Sequence, residues 1–150
     1  MKVAVGSDHA GFELKQEVAE CLRKQGFEVL DVGTDSTAAV DYPDYAEKVA
    51  LAVKDRRAER AVLICGSGVG ACVAANKVPG IRAAICHDAY SAHQGVEHDD
   101  MNVLVLGGRI IGPALALELV EAFVKARYTA EERHARRLAK VKAIEARYSK

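Results

Sequence analysis

The chain carries no net charge: its 21 Lys and Arg balance 21 Asp and Glu, which removes any general electrostatic reason to bind DNA, RNA or an anionic membrane. It has no uncharged run long enough to cross a bilayer, and the longest is broken by Gly66, Gly68 and Gly70. No secretory h-region or Arg/Ser-rich transit segment is seen at Lys2-Val3-Ala4-Val5, which reads as a strand, so a cytoplasmic location is expected. Cys21, Cys65, Cys72 and Cys86 form no C-x-x-C pair and no zinc-type spacing; reduced thiols are expected, with Cys72 and Cys86 in the core. The spacing His87-x5-His93-x4-His98 matches no metal geometry, so no metal is assigned. Internal repeats and low-complexity tracts are also missing.

What is present is an alternation. Short β-branched runs at Lys2–Gly6, Phe27–Val32, Ala61–Cys65, Arg82–Cys86 and Val103–Leu106 are separated by segments of helical period. Leu14, Val18, Cys21 and Leu22 form one apolar stripe, closed by Gly26 as a left-handed cap. Tyr45, Val49, Ala52 and Val53 form a second, behind Pro43, and Leu115, Leu119, Val120 and Phe123 a third, behind Pro113. A last helix over 130–148 has a thin stripe of Leu138, Val141 and Ile144, suited to packing on another element or a second subunit. Residues 33–41 read as a surface loop, and Val78-Pro79-Gly80 as a tight turn. The expectation is one α/β domain over 1–150: a three-layer, Rossmann-like, five-stranded parallel sheet with helices on both faces and a C-terminal helix used in dimerisation.

In such sheets ligands bind beyond the carboxyl ends of the strands. That rule selects Ser7-Asp8-His9-Ala10-Gly11, Cys65 to Gly70, His87-Asp88 and Gly107-Gly108-Arg109. The turn Gly66-Ser67-Gly68-Val69-Gly70 bares backbone N–H groups beside Cys65 and favours an oxyanion, a phosphate or a thiolate. It lacks the lysine of a phosphate loop, which argues against a nucleotide-binding module. Asp8 reads equally as a ligand group and as an N-cap. His98 and Asp99 end the helix before the fifth strand, at the rim opposite Cys65, roughly 17 Å away. His98 is then either a helix-end histidine beside the dipole or part of a site completed by a neighbouring chain. Between Lys125 and Lys150 nine cations face three carboxylates, and Arg133 and Arg137, four apart, either grip a phosphate or form a solvated cationic face.

Taken together, SDHAGFELK at 7–15, DYPDYA at 41–46, ICGSGVGACVAANKVPGIRA at 64–83, HDDMNVLVLGGRIIG at 98–112 and RHARR at 133–137 resemble the B-type ribose-5-phosphate isomerases, whose family also holds the galactose-6-phosphate isomerase subunits. The resemblance implies a cofactor-free aldose–ketose isomerase, acting through a cis-enediol as a homodimer or tetramer with shared sites. It implies Cys65 as the proton-transferring base, Ser67 as a proton relay between the sugar oxygens and His98 as the ring-opening group. Asp8, His9, Gly66, Gly68, Val69, Gly70 and Asp99 would bind substrate, and Arg109, Arg133 and Arg137 would hold its phosphate. Two positions depart from the family pattern: Ser67 stands where Thr is common, and Asp99 where Asn is usual, a carboxylate that repels an enediolate and cannot donate to it. The resemblance leaves other sugars open, among them hexose or allose 6-phosphates and unphosphorylated aldoses, and a sugar-phosphate-binding subunit without activity.

Overall fold

The computed structural model describes residues 1–149. Five strands, β1 (Lys2–Ser7), β2 (Glu28–Asp31), β3 (Arg60–Cys65), β4 (Ala83–Ile85) and β5 (Val103–Gly107), pair in parallel in the order β2-β1-β3-β5-β4. The helices are α1 (Phe12–Lys24), α2 (Tyr42–Lys54), α3 (Val69–Ala75), α4 (Ala89–Asp99), α5 (Pro113–Lys125) and α6 (Glu132–Tyr148). The expected sheet, order of elements and single α/β unit are all present.

Alternation along the strands divides the interior in two. Val3, Val5, Val62, Ile64, Leu104 and Leu106 face α1, α4 and α5, whereas Ala4, Leu63, Cys65, Val103 and Val105 face α2 and α3. The second layer is rich in alanine, with Ala46, Ala50, Ala52, Ala71 and Ala75 all fully buried, so α2 and α3 lie close to the sheet. Gly26, at φ +89°, closes α1 as predicted: the Phe27 N–H donates to the Leu22 carbonyl and the Gly26 N–H to that of Arg23. Pro43 and Pro113 stand in the first turns of α2 and α5. Leu115 is 37% exposed, and Ala116 takes the buried place expected for it, because the stripe continues through Leu119, Val120 and Phe123.

At the foot of β3 the Arg60 guanidinium donates to the carbonyls of Phe123, Val124 and Ala126. It satisfies the open C-terminus of α5, and burial lowers its pKa from the ordinary arginine value. The loop over 33–41 is not a free surface strand of chain. Thr34 is buried, and Lys15, itself 2% exposed, donates from Nζ to both Asp31 carboxylate oxygens and to the Thr34 carbonyl. α6 lies on α4 through Leu138 and His134, while Val141 and Ile144 remain about half exposed. Cys86 is buried as expected; Cys72 is not, being only partly covered on α3.

Candidate active site

Three loops meet at the carboxyl end of the sheet. The Gly108 N–H donates to the Cys65 carbonyl at 2.7 Å and the Arg109 N–H to the Gly66 carbonyl at 2.9 Å, which fastens the turn after β5 to the turn after β3. A Cβ on Gly11 would lie 2.6 Å from the Ile64 carbonyl oxygen, and one on Gly107 2.6 Å from that of Ser67. Only glycine permits backbone to approach backbone this closely. The result is a rim whose shape is set by main chain.

Cys65 ends β3 with 6% of its surface exposed, and its Sγ accepts a hydrogen bond from the Gly68 N–H at 3.2 Å. Gly68 reaches that position at φ +89°, the left-handed conformation that L side chains rarely adopt. The Val69 N–H donates to Ser67 Oγ at 3.2 Å, so this amide is engaged within the turn and the Val69 side chain, 58% exposed, points to solvent. Ser67 is exposed and Gly70 opens the first turn of α3, where amides have no i−4 carbonyl. α3 has only seven residues, so its contribution to an anion comes from individual N–H groups more than from a long aligned dipole.

Asp8 is the N-cap that its position allowed. Its Oδ1 caps the turn at His9–Gly11, accepting from the Ala10 and Gly11 N–H groups at 3.0 and 3.2 Å, while Oδ2 has no hydrogen bond among the described residues. His9 Nδ1 accepts from the Val40 N–H at 3.1 Å. Arg109 is exposed and lies along Gly66, its Cδ and Nη1 both 3.6 Å from where a Cβ on that glycine would stand. His87 Nε2 accepts from the Gly107 N–H at 3.0 Å and steadies the same turn.

His98, Asp99, Arg133 and Arg137 lie elsewhere. Asn102 precedes β5 and accepts from the Ala61 N–H at the start of β3, whereas Cys65 pairs with Gly107 at the other end. Four residues of strand, ~13 Å, separate these levels, and α4 delivers His98 to the lower one. There His98 stacks on His134 with ring centroids 3.9 Å apart, and Gln94 Nε2 meets His98 Nδ1 at 2.8 Å. The Arg133 Nε–H donates to His134 Nε2 at 3.4 Å, and Arg133 pairs with Glu131 at 3.2 Å. Arg137 is exposed with no ion pair among the described residues. Burial, then the stacked His98 and neighbouring Arg133, holds the His134 imidazolium below its ordinary range. Asp99 is exposed and lines a groove of about 310 Å³ between α4, β4 and α6, with Arg82, Met101 and Leu138.

The structure thus groups the predicted residues into two sets at opposite rims. Two neighbours of these residues escaped the sequence reading. His134 stands among cations in RHARR and was given no role; Tyr42 lies with its ring against Gly70, 2.5 Å from the place a Cβ would take. The DYPDYA segment was the available signal for Tyr42.

The sequence profile of the Ribose/Galactose Isomerase family matches residues 3–141. The chain is 47% identical to ribose-5-phosphate isomerase B of Escherichia coli (strain K12) over 97% of each chain. It is 42% identical to D-erythrulose-4-phosphate isomerase of Pectobacterium atrosepticum over 85% of each. Among solved structures, Clostridium thermocellum ribose-5-phosphate isomerase B superposes with a TM-score of 0.96 at 50% identity, covering 99% of this chain and 100% of that one.

Proposed function

Given that the chain belongs to the ribose/galactose isomerase family, we propose that it is an aldose–ketose isomerase interconverting ribose 5-phosphate and ribulose 5-phosphate through a cis-enediol. The observation that carries this reading is Cys65: a sulfur at the end of a strand, hydrogen-bonded to the Gly68 N–H in a glycine turn, with Arg109 alongside.

As a thiolate, Cys65 takes the proton from C2 of the open-chain aldose, and the electrons move onto O1 as the carbonyl becomes an enediolate. Amides of the 66–70 turn left free of internal bonds stabilise that oxygen, an effect commonly worth about 3–4 kcal/mol per donor. Ser67 Oγ shifts a proton from O2 to O1. The thiol returns its proton to C1, leaving the ketone at C2 and regenerating the thiolate. Each step is a proton transfer, so the sugar supplies both its oxidised and its reduced carbon. Asp8 Oδ2 and His9 hold hydroxyl groups, and a positioned substrate converts a slow encounter into an effectively unimolecular step.

The furanose ring must first open. His98 has its Nδ1 occupied by Gln94 and presents Nε2, but it lies at the rim away from Cys65 in its own chain. The complete site is therefore assembled between two copies: Cys65 and the loops of one subunit face His98 of the partner subunit, with the arginines on α6 neutralising the phosphate. We place this assembly, a homodimer or a pair of dimers, in the cytoplasm; no helix among the described residues is long and apolar enough to cross a membrane.

A second sugar is favoured by a specific observation. Asp99 presents an exposed carboxylate beside His98, and one relative is named for a four-carbon sugar phosphate. One experiment addresses both readings: turnover in deuterated water across a panel of phosphorylated and free aldoses, with the parent and Cys65→Ala. The parent is expected to incorporate deuterium at C1 of ribulose 5-phosphate and to prefer phosphorylated sugars. Cys65→Ala should fold and lose about a thousandfold in kcat/KM. Undiminished exchange in that variant would assign the base to another residue; faster turnover of another sugar would reassign the substrate.

A further inference from the structure

Lys15 is the one lysine on α1 with its side chain buried, and all three of its ammonium protons are used. They go to Asp31 Oδ1 at 3.0 Å, Asp31 Oδ2 at 2.8 Å and the Thr34 carbonyl at 2.8 Å. The same short segment is tied twice more, by the Gly33 N–H to Asp31 Oδ1 at 3.0 Å and by the Thr34 N–H to the Ser7 carbonyl at 3.1 Å. A Cβ on Gly33 would lie 2.7 Å from the Ser7 nitrogen and 2.8 Å from Lys15 Cδ, so the lysine stem and β1 close over the start of the loop. Residues 35–39 then cross the exposed surface, and the loop returns to the site at Val40, whose N–H donates to His9 Nδ1 at 3.1 Å.

A backbone N–H can only donate. The atom it meets must accept, so the hydrogen of the His9 ring stands on Nε2. Without Val40 in place the ring is free to turn over and to offer an acceptor where it now offers a donor. A lysine confined to holding the fold together would have no bearing on that choice.

We propose that Lys15 is a positioning residue for His9: by clamping Asp31 and Thr34 it seats the 33–41 loop so that Val40 fixes the imidazole as an Nε2–H donor toward a sugar oxygen. This rests on the substrate-binding part assigned to His9 above. It reaches the chemistry only through that ring, so it acts on binding and leaves the proton transfer at Cys65 alone.

The test combines steady-state kinetics on ribose 5-phosphate with the long-range proton–nitrogen spectrum of the His9 ring, in the full chain at fixed pH. The parent is expected to show one tautomer, with hydrogen on Nε2. In Lys15→Met the ring should show both tautomers, and KM should rise about three- to tenfold, the worth of one well-placed hydrogen bond, with kcat within about twofold. Val40→Pro removes the donor without touching Lys15, Asp31 or Thr34 and should give the same two changes. If Lys15→Met does not fold, Asp31→Asn, which keeps the shape and weakens the clamp, is read in its place and should shift both quantities the same way.

A clamp variant that melts at lower temperature while KM and the His9 tautomer match the parent would overturn the proposal and make Lys15 purely structural. An unchanged tautomer in Val40→Pro would overturn it from the other end. If the parent fails to isomerise any sugar, the activity reading fails, and the tautomer spectra alone uphold or sink the clamp.

Discussion

At the carboxyl end of the sheet the candidate site is built in main chain, with Cys65 and Gly108 tied by hydrogen bonds and Gly11 and Gly107 packed too close to backbone for any Cβ, whereas at the amino end the candidate residues are side chains at helix tips, His98 on α4 and Arg133, His134 and Arg137 on α6. The first kind of construction holds a sulfur and its hydrogen-bond donors with little freedom. The second sets His98, Arg133 and Arg137 at an exposed or partly exposed surface, with His134 buried beneath His98. A base needs accurate placement against a carbon-bound proton, while ring opening and phosphate binding tolerate longer side chains and a solvent-facing approach. Under the proposed function the two ends meet across a subunit boundary.

The sharpest way to break this comparison is to disable one rim in each of two chains. Cys65→Ala and His98→Asn are each expected to be nearly inactive alone. Mixed in equal amounts under conditions that exchange subunits, they should recover about a quarter of parental activity, because half the dimers are mixed and each mixed dimer has one intact site. Activity that stays at the level of the separate variants would mean that both rims serve within one chain.

A smaller effect tests the rigidity of the carboxyl rim. Gly68→Ala places a Cβ at φ +89° and 3.2 Å from Val105 Cγ1, and the left-handed backbone alone costs about 1–2 kcal/mol in an L residue. Urea unfolding should show a loss of that order, together with a larger fall in kcat than in thermal stability, since the donor to Sγ moves. A variant of parental stability and rate would show that the turn has slack.

The smallest effect belongs to the amino rim and appears as pH dependence. The folded chain holds His134 below its ordinary value of 6.5, so below about neutral pH the unfolded chain binds the extra proton more readily. Stability contributed there should fall as pH drops from about 6.5 toward the lowered folded value and be constant above it. His134→Gln should flatten that part of a melting-temperature profile. Asp88, whose carboxylate is stabilised by the Ser91 N–H that it caps, acts in the opposite sense on ionisation and loses its contribution only at lower pH, below the ordinary carboxylate value of 3.8. An unchanged slope near pH 6 in the glutamine variant would remove His134 as its source.

Much of this was legible in residue order. β-branched runs located all five strands, Gly26 and the two helix-starting prolines marked ends, and the glycine turn after Ala61–Cys65 singled out the sulfur, because each signal is local. Placing His98 at the far rim also followed, since a helix returning along a parallel sheet must end there. What stayed hidden depends on partners distant in sequence. Lys15 has the look of any helix-surface lysine until Asp31 and Thr34 arrive beneath it. His134 takes its character from a ring 36 positions earlier in the chain, and nothing near it announces the stack. Cys72 was assigned to the core by its apolar neighbours, yet it falls on the open side of a short helix, where burial still raises its thiol above the ordinary range, less than at Cys86, which is pushed up to about 11.

The crowding of Gly11 on Ile64 and of Gly107 on Ser67 has a consequence for how such a catalyst changes over generations. A floor made of carbonyls and amides offers side-chain substitution little to exchange, so a change there acts by displacing backbone, whereas a change at the exposed helix tips alters a charge or a hydrogen-bonding group and leaves the floor in place.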